Sequence, residues 1–185
     1  TDARLLASAS MAYHHFPNRL SFVIDSTYPQ AARRFAELYN RSGISRCGLI
    51  NRTLYAILSN AAFPMLAASD IAGWPSVDAL VANRELWQLS CRAQSEIAAL
   101  PQHGWIGRLV SLLLTDSLSA RLQRKIEHDS WPLHYQAFNR FHHGGKVKAQ
   151  DIQVMQNCLA SGQGQGRAMP ALVELLRRWE AVPAT

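Results

Sequence analysis

Leu49-Ile-Asn-Arg-Thr-Leu-Tyr-Ala-Ile-Leu-Ser-Asn-Ala-Ala-Phe-Pro-Met-Leu-Ala-Ala68 is the stretch that decides the fold. Its one charged residue is Arg52, and it reads as a long, mostly buried apolar helix. Pro64 removes a backbone donor and is expected to kink or end that helix. The best membrane candidate inside it, Ala56 to Ala68, is too short and carries Asn60 and Pro64, so no segment is expected to span a bilayer.

Downstream the pattern stays helical. Trp74-Pro75-Ser76 is a turn with Ser76 as N-cap, launching a helix through Leu100 that offers Leu80, Leu86, Trp87 and Ile97 for packing. Pro101 to Gly104 breaks it. A leucine-rich helix follows from Trp105 to about His128, with Arg121, Arg124 and Lys125 in its last turns, where cations suit the helix dipole. Ser130-Trp131-Pro132 caps a short helix to His142, which Gly144-Gly145 ends. Two more helices, Val147–Ala160 and Pro170–Glu180, are separated by Gly162, Gly164 and Gly166.

Upstream the character changes. Arg19-Leu-Ser-Phe-Val-Ile-Asp25 alternates weakly and is the one convincing strand. Tyr28-Pro29 then opens a helix with Ala32, Phe35, Ala36 and Tyr39 on one face and Gly43 as its stop. A lone strand is not stable by itself, so this start reads as the tail of an α/β unit. The expected fold is mainly α: residues 1–45 form a short α/β remnant and residues 46–185 an all-α body of six or so helices.

Composition bounds the class. With 48% hydrophobic and 17% charged residues over 185 positions, the chain can bury a real core and is not low-complexity or disordered. The N-terminus lacks the order of a secretion signal. Three widely spaced cysteines, Cys47, Cys91 and Cys158, suit reduced thiols in a cytoplasm and cannot form a zinc site alone. The net charge is +6. Its cations come as scattered groups (Arg33–Arg34, Arg121 with Arg124–Lys125, Lys146 with Lys148, Arg177–Arg178), without the concentrated stripe of a nucleic-acid surface. They read as solvated helix faces, with an anion-binding surface as the alternative.

Motifs are sparse. Gly162-Gln-Gly-Gln-Gly166 follows a helix and has the wrong spacing for a dinucleotide fingerprint, so it reads as a linker. His14-His15 and His142-His143 are adjacent pairs that point apart and chelate poorly; no metal is expected. Arg52, Ala56 and Asn60 lie four apart and share one face of the decisive helix. Asn60 there is either a buried amide bonded to a neighbouring helix or a group in a cleft that holds a small polar substrate.

Phe22-Val-Ile-Asp-Ser-Thr-Tyr-Pro-Gln-Ala-Ala-Arg-Arg-Phe-Ala-Glu-Leu-Tyr-Asn-Arg-Ser-Gly43 resembles the last Rossmann-domain segment of the ketopantoate reductase (2-dehydropantoate 2-reductase) family. Asn51 to Pro64 resembles that family's first C-domain helix. Ala137-Phe-Asn-Arg-Phe-His-His-Gly-Gly-Lys-Val-Lys-Ala-Gln-Asp151, through Gly166-Arg-Ala-Met-Pro-Ala-Leu172, resembles its closing helices.

The resemblance implies an NADP-binding Rossmann domain joined to an all-α domain of the 6-phosphogluconate dehydrogenase type. It further implies reduction of ketopantoate, in pantothenate biosynthesis, or of a related 2-oxo acid. This chain would then be the C-terminal, substrate-side portion, with NADP bound mainly by an N-terminal domain absent here, and the fragment alone would be inactive. The family's lysine falls on Arg52, its first asparagine on Ala56 and its second on Asn60. Its downstream glutamate falls on Gln150 or Asp151, and its substrate serine near Phe138–Asn139, where no serine stands. Arginine stays protonated and is a poor general acid. A divergent oxidoreductase with another 2-oxo or keto substrate therefore fits better. Arg52 takes the catalytic position, and Asn60, Gln150 and Asp151 bind substrate. A non-catalytic helical adaptor or anion-binding module is the alternative, and exposed Trp and Leu allow a homodimer.

Overall fold

A computed structural model describes residues 20–131 and 133–183. Arg19, Pro132 and the His14-His15 pair lie outside the described residues. Contacts divide the chain into a unit ending at Arg52 and a unit beginning at Thr53.

In the N-terminal unit, β1 (Leu20–Asp25) and β2 (Arg46–Ile50) pair in parallel, with helix α1 (Pro29–Asn40) connecting them. The register sets Phe22 against Cys47 and Asp25 against Ile50. β2 corrects the expectation of a single strand and of helix from residue 46 onward. Cys47-Gly-Leu-Ile50 is a short apolar run, and periodicity cannot tell such a run in a strand from the start of a buried helix. The Asn40 amide fixes β2 by accepting from Cys47 N at 2.7 Å and donating to Cys47 O at 3.1 Å. Phe22 meets the Tyr39 ring edge-on at 4.9 Å between centroids. Gly43 has φ +68°, the left-handed turn expected after α1.

The C-terminal unit is built of helices, the first of which begins at Arg52, the last residue of the preceding unit. In order come α2 (Arg52–Ala61), α3 (Phe63–Ile71), α4 (Val77–Ala82), α5 (Arg84–Ala98), α6 (Gly104–Leu113), α7 (Asp116–Asp129), α8 (Tyr135–Phe141), α9 (Lys148–Gln163) and α10 (Pro170–Glu180). The decisive stretch breaks at Ala62, with Pro64 in the first turn of α3, where its missing N–H costs nothing. Ser76 caps α4 as expected. The expected helix from Ser76 to Leu100 is two helices, because the Asn83 side chain accepts from Leu86 N and starts α5. Likewise the Thr115 hydroxyl accepts from Leu118 N and divides the helix expected over Trp105–His128. His134 caps α8 in place of Ser130-Trp131-Pro132. Gly107 is where α6 crosses the end of α5: a Cβ there would stand 2.3 Å from Ala98 O.

α3, α5 and α10 pack around Trp87, Ile97, Leu172, Leu175 and Trp179. Within this core lies a carboxylate. Asp70 is 3% exposed. One of its oxygens accepts from Trp74 Nε1 at 2.8 Å, and the other from Trp179 Nε1 at 2.7 Å and from Lys148 Nζ at 2.8 Å. Lys148, also buried, donates in turn to Val182 O at 2.6 Å, just past α10. Trp74 holds φ +59°, uncommon for a bulky residue, and its indole bond to Asp70 helps to fix that turn. α10 begins at a second buried constraint. Met169 is left-handed (φ +47°) before Pro170, and the Glu96 carboxylate accepts from Ala171 N and Leu172 N at 3.1 and 2.8 Å.

Taken together across the break at Ala62, the 20 residues Arg52–Ile71 are long and apolar enough to cross a membrane by length and composition. Met65, Ala67 and Ala68 of this stretch nonetheless lie in the protein core, and Asp70 near its end is tied to α9 and α10.

Breaking a buried ion pair by removing one partner costs about 3–5 kcal/mol. Asp70→Ala strands Lys148 and two indole N–H groups, and is expected to lower unfolding free energy by about that amount. Lys148→Met leaves the carboxylate its two indole donors, so it should cost less. Urea unfolding followed by tryptophan fluorescence reads both, and a loss under about 1 kcal/mol for Asp70→Ala contradicts the hub.

Candidate functional site

Beyond α8 the helical path does not end at Gly144-Gly145, as expected from the sequence. It runs through a π-helical turn, His142–Lys146, closed by Val147 N donating to His142 O at 2.8 Å. Such turns recur at functional sites. Eight residues of straight α-helix advance about 12 Å, so His143 and Asp151 could not touch along one. The wide turn and the non-helical backbone of Val147 (φ −117°, ψ 7°) bend the chain, and His143 Nδ1 meets Asp151 Oδ2 at 2.7 Å.

The Asp151 carboxylate is buried, while the His143 side chain is 21% exposed. A buried carboxylate on Nδ1 fixes the orientation of an imidazole and leaves Nε2 as its other working atom. His142 stacks on Phe138 at 5.6 Å and meets the His143 ring edge-on at 4.7 Å, so the histidine is held from two sides. Lys148 and Asp151, three apart in the first turn of α9, both point inward. The Lys148–Asp70 ion pair and the His143–Asp151 hydrogen bond thus flank one bend.

The sequence-predicted residues distribute unevenly. Arg52 is exposed at the first position of α2. Asn60 and Ala56 are half-buried on the same helix, so the Asn60 amide keeps access to solvent. Gln150 is exposed on the outer side of α9, whereas Asp151, one residue on, faces His143. Among the described residues no hydrogen bond joins Asn60 to Gln150 or Asp151. The end of α2 is held instead by Gln94, which donates to Ala61 O at 2.8 Å and accepts from Ser119 Oγ at 2.9 Å.

The sequence reads His143 as half of a poorly chelating pair and Lys148 as a solvated cation, whereas His143 is held by Asp151 and Lys148 is buried; Asp70 is not singled out at all. The single signal for Asp70 is a carboxylate inside the apolar run Phe63-Pro-Met-Leu-Ala-Ala-Ser-Asp70. Two open recesses flank Glu96. One of about 250 Å³ is lined by Cys91, Arg92 and Asp116, and one of about 350 Å³ by Arg167, Met169 and Pro170. Neither includes Asn60, Gln150 or Asp151.

Among the described residues no three His, Cys, Asp or Glu side chains converge as a metal site requires. The cysteines are all free and buried. Burial, with Asp116 adding to it, pushes the Cys91 thiol up to about 12, and burial raises Cys158 to about 11. Neither is an activated nucleophile. No family model, no curated protein and no solved structure matches this chain.

At pH 8 both thiols are protonated and shielded, so Ellman's reagent is expected to find no fast-reacting cysteine in the folded protein and three in denaturant. The raised folded-state value also sets a sign. The contribution of Cys91 to stability is whole below its ordinary value of 9.0 and is lost as pH rises toward about 12. Cys91→Ala should flatten the alkaline limb of the stability curve. An equally steep limb in that variant refutes the assignment.

Proposed function

We propose that this chain is the substrate-side portion of an NADP-dependent oxidoreductase resembling the ketopantoate reductase family, acting on a 2-oxo acid or related keto substrate. The observation that carries the reading is the order of elements. A parallel β-α-β unit, the building block of nucleotide-binding α/β sheets, leads directly into the helix bearing Arg52 and Asn60, and a helical body follows.

The described residues do not themselves fit a dinucleotide. The turn from β1 to α1 is Asp25-Ser-Thr-Tyr-Pro29, without glycine. The Asp25 carboxylate accepts from Thr27 N at 2.9 Å and Thr27 Oγ1 at 2.6 Å, placing negative charge where a pyrophosphate would need donors. In this reading NADP is held outside the described residues, and this chain's share is to bind and orient the keto acid. Arg52, charged at all working pH values, suits the substrate carboxylate better than proton transfer. Asn60, half-buried with its amide open, suits a carbonyl or hydroxyl.

Ion pairing weighs against the anion-binding alternative. Arg124 is bonded to Asp78, Lys125 to Asp129, Lys148 to Asp70, and Arg177 and Arg178 to Glu174. Five of the nine cations in the sequence's basic groups, the buried Lys148 among them, therefore carry their own counter-charge.

The test is NADPH oxidation by the natural full-length protein against a panel of 2-oxo acids. Arg52→Ala is expected to raise KM for the keto acid by roughly tenfold or more, the loss of one charge-assisted contact, with circular dichroism unchanged. Wild-type kinetics in that variant, or no keto-acid-dependent oxidation at all, refutes the proposal.

A further inference from the structure

The π turn gives up helix regularity for one contact. It carries Gly144 and Gly145, poor helix formers, and it brings His143 within 2.7 Å of Asp151. The other described histidines are engaged differently. His103 is buried with Nδ1 against Ala98 O, His134 Nδ1 accepts from Ala137 N as a cap, and His142 stacks on Phe138. His128 meets Asp129 with its own side chain 88% exposed. Only His143 among them sets Nδ1 against a buried carboxylate, and among the described residues its Nε2 makes no hydrogen bond. The half-buried imidazole keeps access to water for proton exchange, whereas the Asp151 side chain behind it is buried. The elements packed on the turn, α3, α8 and α9, carry Asp70, Tyr135, Arg140 and Lys148, and the turn itself holds His142 and Lys146. Asp70 and Lys148 pair with each other, which leaves Asp151 as the carboxylate in contact with His143.

We propose that His143 is the acid–base residue of this chain, giving a proton from Nε2 to the carbonyl oxygen of the keto substrate, with Asp151 as its positioning residue. The inference rests on the keto-acid reading. Turning a keto group into a hydroxyl takes a hydride on carbon and a proton on oxygen. In that reading a reduced nicotinamide supplies the hydride, and the protein must supply the proton. Arg52 does not release one at working pH. Lys148 is buried against Asp70, and the three thiols are buried as well. His143 is built to release one. The Nε2–H bond breaks as the O–H bond forms, its electron pair stays on nitrogen, and the imidazole is left neutral. Nδ1–H still donates to Asp151, which holds the ring in one orientation and stabilises its charged form. Water then returns the proton to Nε2. The same contact explains how positions 150 and 151 divide their work. Gln150 is exposed on the outer side of α9 and the Asp151 carboxylate is engaged by His143, so the imidazole edge is what Asp151 offers to a ligand.

Imidazole NMR and kinetics on the natural full-length protein test the two residues separately. In ¹⁵N spectra the neutral form of His143 should carry its proton on Nδ1, and Asp151→Asn should move it toward Nε2. A neutral His143 protonated on Nε2 in the wild type overturns the inference without any assay of activity. His143→Asn keeps an amide N–H near the Nδ1 position, so the bond to Asp151 is retained while Nε2 is lost. With NADPH and a panel of 2-oxo acids, that variant should lose about 100-fold or more in kcat, with KM and circular dichroism nearly unchanged. The wild-type rate should fall as rising pH strips Nε2 of its proton, and the residual rate of His143→Asn should lack that fall. Wild-type kcat in His143→Asn, or the same alkaline fall, overturns the role of His143 and leaves the keto-acid reading standing, since Arg52→Ala tests that through KM. A wild-type protein with no 2-oxo-acid-dependent oxidation overturns both.

Discussion

The helical body depends on one buried carboxylate. A desolvated Asp70 is tolerable only because three donors meet it, two of them indole N–H groups that themselves need partners when buried. Each donor comes from a different place: Trp74 from the turn after α3, Trp179 from α10 and Lys148 from α9. Apolar packing would bring these helices together without fixing their rotation or axial position. Three directed bonds on one carboxylate do fix both. Lys148 carries the constraint on to the carbonyl of Val182, so the end of the described chain is held by the same group.

Other carboxylates and amides do similar work at helix ends. Glu96, on α5, supplies the first N–H groups of α10 with an acceptor that the local sequence, Met169-Pro170, lacks. Glu127, on α7, accepts from Val77 N at the start of α4. Gln94 closes the end of α2 and is itself steadied by Ser119. Helix termini in this body are satisfied by side chains from neighbouring helices as well as by local caps. Tertiary and secondary structure are therefore fastened together.

That arrangement explains what was legible in the sequence. Local signals read correctly: Pro64 marks the break in the decisive stretch, Ser76 caps a helix, Gly43 stops one and Pro170 opens another. Thr115-Asp116 was a readable start, with cap and first-turn acid, but the leucine run on both sides masked it. β2 was hidden because five residues are too few for a period to declare itself. The partners of Asp70 were illegible, since their distances along the chain follow from the packing and not from any motif. His143 and Asp151 are close in sequence, yet a straight helix would keep them apart, and only the π turn joins them. Arg52 and Asn60 share the predicted helix because their spacing is a property of the helix itself.

The same internal use of acids bears on the charge left at the surface. The chain has 13 Asp and Glu against 19 Lys and Arg. Asp70 and Asp151 are buried, and Glu96 and Glu127 spend their oxygens on backbone N–H groups of other helices. Acids turned to internal use still count in the formal net charge of +6, but they do not neutralise cations at the surface. A basic balance of that origin need not imply an acidic partner. The surface that lacks an internal explanation is apolar, on α6 and α7, where leucines that would ordinarily face a core face water.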